Sequence, residues 1–152
     1  MNNLRRRGFL GRFLALCAWP FTAARAADAP AEAVELMVLK VTGGARVQSG
    51  RVKLEIPLLA DNGNSVSLKV SVDSPMTATN YVKSLHLYAP RNPRPNIANF
   101  YLGPRAGRAQ VSTRVRLGGS QRVLAVAALS DGSFWSATAD VVVTLSACYD
   151  AT

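Results

Sequence analysis

The stretch VSLKVSV at residues 66–72 decides the fold, because apolar and polar side chains alternate along its whole length. Strict alternation is typical of a β-strand that buries one face and exposes the other. The stretches RVKLEI at 51–56 and VSTRVRL at 111–117 have the same period. Asn62-Gly63-Asn64, between the first two of these strands, has the composition of a tight turn. Half-buried strands joined by short turns indicate an all-β domain.

The rest of the chain adds further strand candidates and one helix candidate. The strands are predicted at Tyr81–Ala89, Ile97–Leu102, Val123–Leu129, Phe134–Ala137 and Asp140–Leu145. The nearly continuous apolar run at 123–129 is suited to a central strand covered on both faces. Asp131-Gly132 predicts the turn of a hairpin directly after it. A short helix is predicted over Ala29–Val41, and Gly43-Gly44 ends it.

The spacing of these strands favours one fold class. Seven or eight short strands at intervals of roughly 8 to 12 residues, with Gly and Pro between them, are typical of an immunoglobulin-like antiparallel β-sandwich. The Cys-Trp-Cys core of antibody domains is missing, so a domain of that type is excluded. Pro90–Pro95 contains three prolines, which donate no ladder hydrogen bonds, and is predicted to be an exposed crossing loop.

The first 26 residues have the features of a removable export signal. Arg5-Arg6-Arg7 precede a short apolar run at 13–21, and Ala24-Arg25-Ala26 is a small-x-small cleavage signature. The apolar run is shorter than the roughly 20 residues that a membrane-spanning helix needs. Arg6-Arg7-Gly8-Phe9-Leu10 resembles the twin-arginine signal, which implies export of a folded domain to a bacterial periplasm; an ordinary secretory signal is the alternative.

The predicted organisation is a signal peptide at 1–26, an immunoglobulin-like domain at 27–145 and a C-terminal arm at 146–152. The whole chain has 18 Lys and Arg against 9 Asp and Glu, but five arginines and no acidic residue lie in the signal. The mature chain therefore has 13 basic and 9 acidic residues, a net charge of +4. This modest charge is scattered along the sequence, which argues against a nucleic-acid-binding protein. No membrane span is expected after cleavage.

The cysteines give the clearest indication of function. Cys17 lies in the signal, so Cys148, which only four residues follow, is the only thiol of the mature chain. An unpaired cysteine in an oxidising compartment points to intermolecular pairing, to a bound group or to reactivity. If the last strand ends at Leu145, residues 146–148 carry the sulfur about 10 Å from the sandwich before the side chain is added.

Residue patterns for catalysis are missing from the sequence. His86 is the only histidine and lies within a predicted strand of alternating pattern, as expected for a packed or surface histidine. The sequence offers no second histidine to complete a set of metal ligands around it. Asp61, Asp73 and Asp131 are predicted to form turns. Five arginines are predicted to lie on a solvated strand face, with a site for an anionic partner as the alternative: Arg105, Arg108, Arg114, Arg116 and Arg122. The protein is therefore predicted not to be an enzyme and to bind no cofactor.

Many short segments, in order, resemble one known family. They are Gly50–Leu54, Ile56-Pro57, Asp61–Val66, Asp73–Thr77, Tyr81–Lys83, Asn92–Pro95, Ser112–Leu117, Gln121, Ala125–Ala127 and Ser130–Ser133. From about Val41 to Cys148 the chain resembles SoxY, the carrier subunit of the periplasmic Sox system for thiosulfate oxidation. The resemblance implies an immunoglobulin-like sandwich, twin-arginine export and a heterodimer with a SoxZ subunit.

The resemblance also implies the role of Cys148, which matches the cysteine that holds the substrate covalently in this family. A haem enzyme attaches thiosulfate there, a manganese hydrolase releases sulfate, and in some organisms a molybdenum enzyme oxidises the remaining sulfur. The family arm is Gly-Gly-Cys-Gly-Gly, whereas this chain has Ser146-Ala147 before the cysteine and Tyr149-Asp150 after it. The alternative is a binding or scaffold module of the same fold, with an inert or disulfide-linked cysteine.

Overall fold

The computed structural model describes residues 29–147, which form two packed β-sheets and a helix. Helix α1 spans Ala29–Thr42. The strands are β1 (Val47–Ser49), β2 (Val52–Glu55), β3 (Leu59–Asn62), β4 (Val66–Val72), β5 (Val82–Tyr88), β6 (Asn96–Tyr101), β7 (Gln110–Val115), β8 (Gln121–Leu129) and β9 (Phe134–Leu145). A short 3-10 turn, Pro104–Ala106, lies between β6 and β7.

The larger sheet has the strand order β1-β9-β8-β5-β6, and β3 also pairs with β9. The smaller sheet has the order β2-β4-β7. This arrangement confirms the predicted immunoglobulin-like β-sandwich with a short helix before it. The pairing is antiparallel except at one edge, where β1 and β3 run parallel to the two ends of β9.

The alternation of apolar and polar residues that predicted β4 matches the burial of its side chains. Val66, Leu68, Val70 and Val72 are all buried between the sheets, whereas the intervening side chains are exposed or half-buried. Burying an aliphatic side chain of this size contributes about 1.5–3 kcal/mol. A register shift of one residue would turn this set to solvent, so the pattern fixes the pairing of β4 with β2 and β7.

Helix α1 explains why β8 and β5 are buried on both faces. Their inner faces line the core between the sheets, and on the outer face Val34 of the helix packs with Tyr88 and Val126. The prediction of a central strand covered on both faces at 123–129 is therefore confirmed. Tyr88 is fully buried, and its hydroxyl has no hydrogen-bond partner among residues 29–147. Burial raises the pKa of this phenol, because the phenolate would lose its hydration.

The turn between β8 and β9 is the hairpin that Asp131-Gly132 predicted. The Asp131 carboxylate accepts hydrogen bonds from the backbone N–H and the hydroxyl of Ser133, at 2.8 and 2.6 Å. These two bonds hold the pKa of Asp131 below its usual value, and the bond from the Ser133 hydroxyl has the larger effect. Gly132 has a φ of 82°, a left-handed conformation that glycine adopts without steric cost.

Two local predictions were wrong, and two short strands were missed. Phe134–Ala137 and Asp140–Leu145 are one continuous strand, because Thr138 and Ala139 stay in register with β8. Residues 90–95 join β5 to β6, neighbours in one sheet, and so do not cross between the sheets. β1 and β3 were not predicted, because three and four residues are too few to show a period and both strands depend on pairing with β9.

Candidate functional site

Cys148, the predicted attachment residue, lies outside the described residues, as do Cys17 and the predicted signal at 1–26. The described chain ends at Ala147, the residue directly before Cys148. The candidate site is therefore built up from the place where the sandwich holds the last residues before Cys148. We call this place the arm anchor and define it by Gly63, Leu117, Leu145 and Ala147.

The arm anchor joins three separate segments through backbone hydrogen bonds. Gly63, in the turn after β3, donates its N–H to the carbonyl of Leu145 at 2.7 Å and accepts from the N–H of Leu117 at 2.8 Å. The carbonyl of Leu117 in turn accepts from the N–H of Ala147 at 3.0 Å. The last strand ends at Leu145, as predicted, but the chain remains bonded to the sandwich for two more residues.

Close packing makes glycine necessary at position 63. A Cβ atom there would overlap the carbonyl oxygen of Leu117 and lie 2.8 Å from the backbone nitrogen of Ala147 and 3.0 Å from a methyl of Val143. Contacts below 3.0 Å with backbone atoms cannot be relieved by a side-chain rotation. Leu117 is fully buried and Ala147 is 7% exposed, so the anchor is part of the packed structure.

Two buried polar side chains hold the segment that carries Leu117. The Asn92 side chain donates to the carbonyl of Arg116 at 2.8 Å and accepts from the N–H of Gly118 at 2.9 Å. The Gln121 amide donates to the Asn92 side-chain oxygen and to the Gly119 carbonyl, both at 3.1 Å. Residues 116–121 therefore have a fixed path, although Asn92 belongs to the proline-rich loop that was predicted to be exposed.

Sequence reasoning found the turn at Gly63 but missed the anchor. Two features of the sequence contribute to the anchor: Gly63 lies between two asparagines, and Asn92 lies among three prolines. Neither pattern says which distant carbonyl each residue contacts, because the three segments are brought together only by the sandwich.

An exposed apolar surface lies next to the arm anchor. We call it the apolar strip and define it by four side chains: Leu58 (78% exposed), Leu59 (60%), Val142 (56%) and Leu145 (65%). Leu59 pairs with Val142 across β3 and β9, and the Val142 N–H donates to the Leu58 carbonyl at 2.8 Å. The strip reaches the anchor because Leu145 belongs to both.

The single histidine is a packed residue. His86 is buried in β5, where Nδ1 lies 2.8 Å from the Asn99 side-chain oxygen and Nε2 lies 3.0 Å from the Ser84 hydroxyl. Both ring nitrogens are engaged with neutral side chains, and Tyr101 contacts the ring edge-on. This arrangement fits the packed histidine of the sequence interpretation. Within residues 29–147, no group of three His, Cys, Asp or Glu side chains could hold a metal ion.

The three aspartates differ in their roles. Asp131 forms a turn, as predicted. In the turn after β3, however, the side chain of Asn62 accepts the N–H of Asn64 at 2.9 Å, so the neighbour of Asp61 has the predicted role. Asp73 contributes its backbone N–H to the carbonyl of Arg51 at 2.8 Å.

The five predicted arginines do not gather at one site. Arg122 forms a two-bond ion pair with Asp140 on the outer face of the larger sheet, at 2.9 and 3.2 Å. This pairing raises the pKa of the Arg122 guanidinium. Arg114 and Arg116 lie at the other sheet, where Arg114 donates to the Ser65 hydroxyl at 3.1 Å. All five arginines are exposed, but only Arg114 and Arg122 lie on strands, so the predicted strand face holds for these two alone. Arg105 lies in the 3-10 turn, and Arg108 and Arg116 lie in loops.

Comparison with protein families identifies the chain. The family model described as sulfur oxidation protein SoxY matches residues 38–148. The chain belongs to the SoxY family. The SoxY match extends over both sheets and the arm anchor, and it includes Cys148. Among curated proteins, no significant match is found.

Solved structures agree with the fold. The sulfur carrier protein SoxY from Chlorobium limicola f thiosulfatophilum is 23% identical, with a TM-score of 0.63, over 76% of this chain and 99% of that one. Superoxide reductase (neelaredoxin) from Ignicoccus hospitalis is 16% identical, with a TM-score of 0.56, over 64% of this chain and 94% of that one. At these identities the likeness shows a shared sandwich. No helix of the described region is long and apolar enough to cross a membrane.

Proposed function

We propose that this protein is a covalent carrier of sulfur intermediates, which are attached to Cys148 and presented to partner enzymes in the periplasm. The observation that carries the proposal is the SoxY family match through Cys148, the only cysteine of the predicted mature chain. Two features support it: the related structure from Chlorobium limicola is described as a sulfur carrier, and the chain is bonded to the sandwich directly before Cys148.

The chemistry of such a carrier requires only a thiol from this chain. The Cys148 thiolate joins the outer sulfur of thiosulfate to form an S–S bond, and the two electrons released pass to a haem enzyme of the Sox type. Hydrolysis by a manganese enzyme then consumes one water, releases sulfate and two protons, and leaves a persulfide on the cysteine. In some Sox systems a molybdenum enzyme oxidises that remaining sulfur. The partner enzymes supply all the catalytic groups.

The proposed carrier pairs with a SoxZ-like subunit, and the apolar strip supports this part of the proposal. Four large apolar side chains, on β3, on β9 and directly before β3, are exposed at 56–78%. Neighbouring exposed apolar side chains, as the paired Leu59 and Val142 are, mark a protein interaction site more often than scattered single residues do. Because the strip adjoins the arm anchor, a subunit bound there lies beside the end of the described chain, one residue before Cys148.

Substitution within the strip is expected to weaken the heterodimer. Replacing Val142 with Asp puts a charge into a desolvated contact, and we expect the dissociation constant to rise by about tenfold to a hundredfold, as for a loss of about 1.4–2.8 kcal/mol. Leu36→Asp is the matched control, because Leu36 is equally exposed, at 56%, but lies on helix α1. Titration calorimetry with the SoxZ-like subunit measures the dissociation constants of both variants. Equal effects of the two variants would place the interface elsewhere.

The carrier function is tested by mass spectrometry of protein purified from cells grown with thiosulfate. We expect adducts of sulfur and of the sulfonate group on the mature chain, mapped to Cys148 and removed by a thiol reductant. The rival function, a scaffold module, predicts an unmodified thiol or an intermolecular disulfide at the same residue. Protein from cells grown without reduced sulfur compounds is the control. An unmodified thiol under both conditions contradicts the carrier function.

A further inference from the structure

We propose that the arm anchor is a positioning device for the carrier thiol, and that Gly63 is the residue that makes it possible. The anchor holds the backbone up to Ala147, and Cys148, which carries the thiol, is the next residue. The role given to Cys148 rests on the proposed function. The position of the anchor rests on the described residues alone.

The anchor shortens the reach that the sequence predicts. A free arm starting after Leu145 would carry the sulfur about 10 Å from the strand before the side chain is added. With Ala147 fixed, the thiol stays within roughly 7 Å of the Ala147 Cα, since one Cα–Cα step is about 3.8 Å. An enzyme that acts on the thiol must then bring its reacting group to the surface of the sandwich, beside Leu145.

The same geometry explains why this chain has Ala147, and not glycine, directly before the cysteine. Glycine gives an arm conformational freedom, but Ala147 is buried and bonded, so freedom at this position has no use in the anchored state. The Ala147 methyl also occupies packed space that a glycine would leave empty. Ser146 lies against the same loop, since a Cβ added to Gly119 would be 3.6 Å from its hydroxyl.

The anchor is tested by a nitroxide label on Cys148, the only thiol of the mature chain. In the native protein the label should show restricted motion at the root of the arm. Gly63→Ala should break the Ala147–Leu117 bond and give a sharper spectrum, as two more residues become free. Gly103→Ala is the matched control, because Gly103 has an extended φ of −145° and open space around its Cβ position. Its spectrum should match that of the native protein.

Amide hydrogen exchange gives a second measurement that needs no label. Loss of one backbone hydrogen bond should lower the protection of the Ala147 amide by about tenfold in Gly63→Ala, while protection in β4 and β8 stays unchanged. If Gly63→Ala does not fold, Ala147→Pro removes the same donor at the end of the chain, and Ala147→Gly keeps it. The label should then be more mobile in the proline variant and nearly unchanged in the glycine variant.

Two results overturn the proposal. The first is unchanged label motion together with unchanged Ala147 protection in a folded Gly63→Ala protein. The second is equal label motion in Ala147→Pro and Ala147→Gly. Neither measurement uses a sulfur substrate, so the anchor is tested even if Cys148 carries nothing. Conversely, a native Cys148 without adducts contradicts the proposed function and leaves the anchor in place.

Discussion

Replacing Cys148 with Ser should abolish turnover of sulfur compounds while leaving the folded protein unchanged. A serine hydroxyl cannot form the S–S bond that holds the substrate, and no other cysteine remains in the predicted mature chain to replace it. Position 148 follows the last anchored residue, so the core is not expected to respond. The measurement is thiosulfate oxidation by the purified carrier with its partner enzymes, alongside thermal unfolding of the variant.

The control separates a missing thiol from a displaced arm. Ala147→Gly keeps the cysteine and the anchoring N–H, and it should retain adduct formation. Cys148→Ser should still bind the SoxZ-like subunit with native affinity, because the apolar strip is unaltered. Full turnover by Cys148→Ser in the reconstituted system contradicts the carrier function. Loss of subunit binding by the same variant would instead show that residue 148 belongs to the interface.

Replacing Arg6 and Arg7 together with Lys should prevent export almost completely. The twin-arginine translocase reads the guanidinium groups themselves, so an equal positive charge on lysine is not a substitute, whereas the ordinary secretory route accepts either residue. Fractionation of cells followed by immunoblotting should show uncleaved precursor in the cytoplasm. Arg12→Lys, in the same segment but outside the pair, is the control and should be exported. Normal periplasmic yield of the paired variant indicates an ordinary secretory signal.

The sequence by itself determined the class of fold and most of its strands. Alternation at 66–72 and 111–117 predicted strands that bury one face, and the apolar run at 123–129 predicted one that buries both. These features are local, since the polarity of each side chain must match the face on which it lies. The order of short matching segments also predicted the SoxY family, which the family model confirms. Cys148 remains a prediction from the sequence.

Only the tertiary structure decided how the chain is held before Cys148. Gly63, Leu117 and Ala147 are far apart in the sequence, and their hydrogen bonds exist because the sandwich brings a turn, a loop and a strand end together. No local pattern records which carbonyl a distant N–H will meet. The same reason explains β1 and β3, which are too short to be predicted and become strands only beside β9. Periodicity is a property of neighbours in sequence, whereas the anchor is a property of neighbours in space.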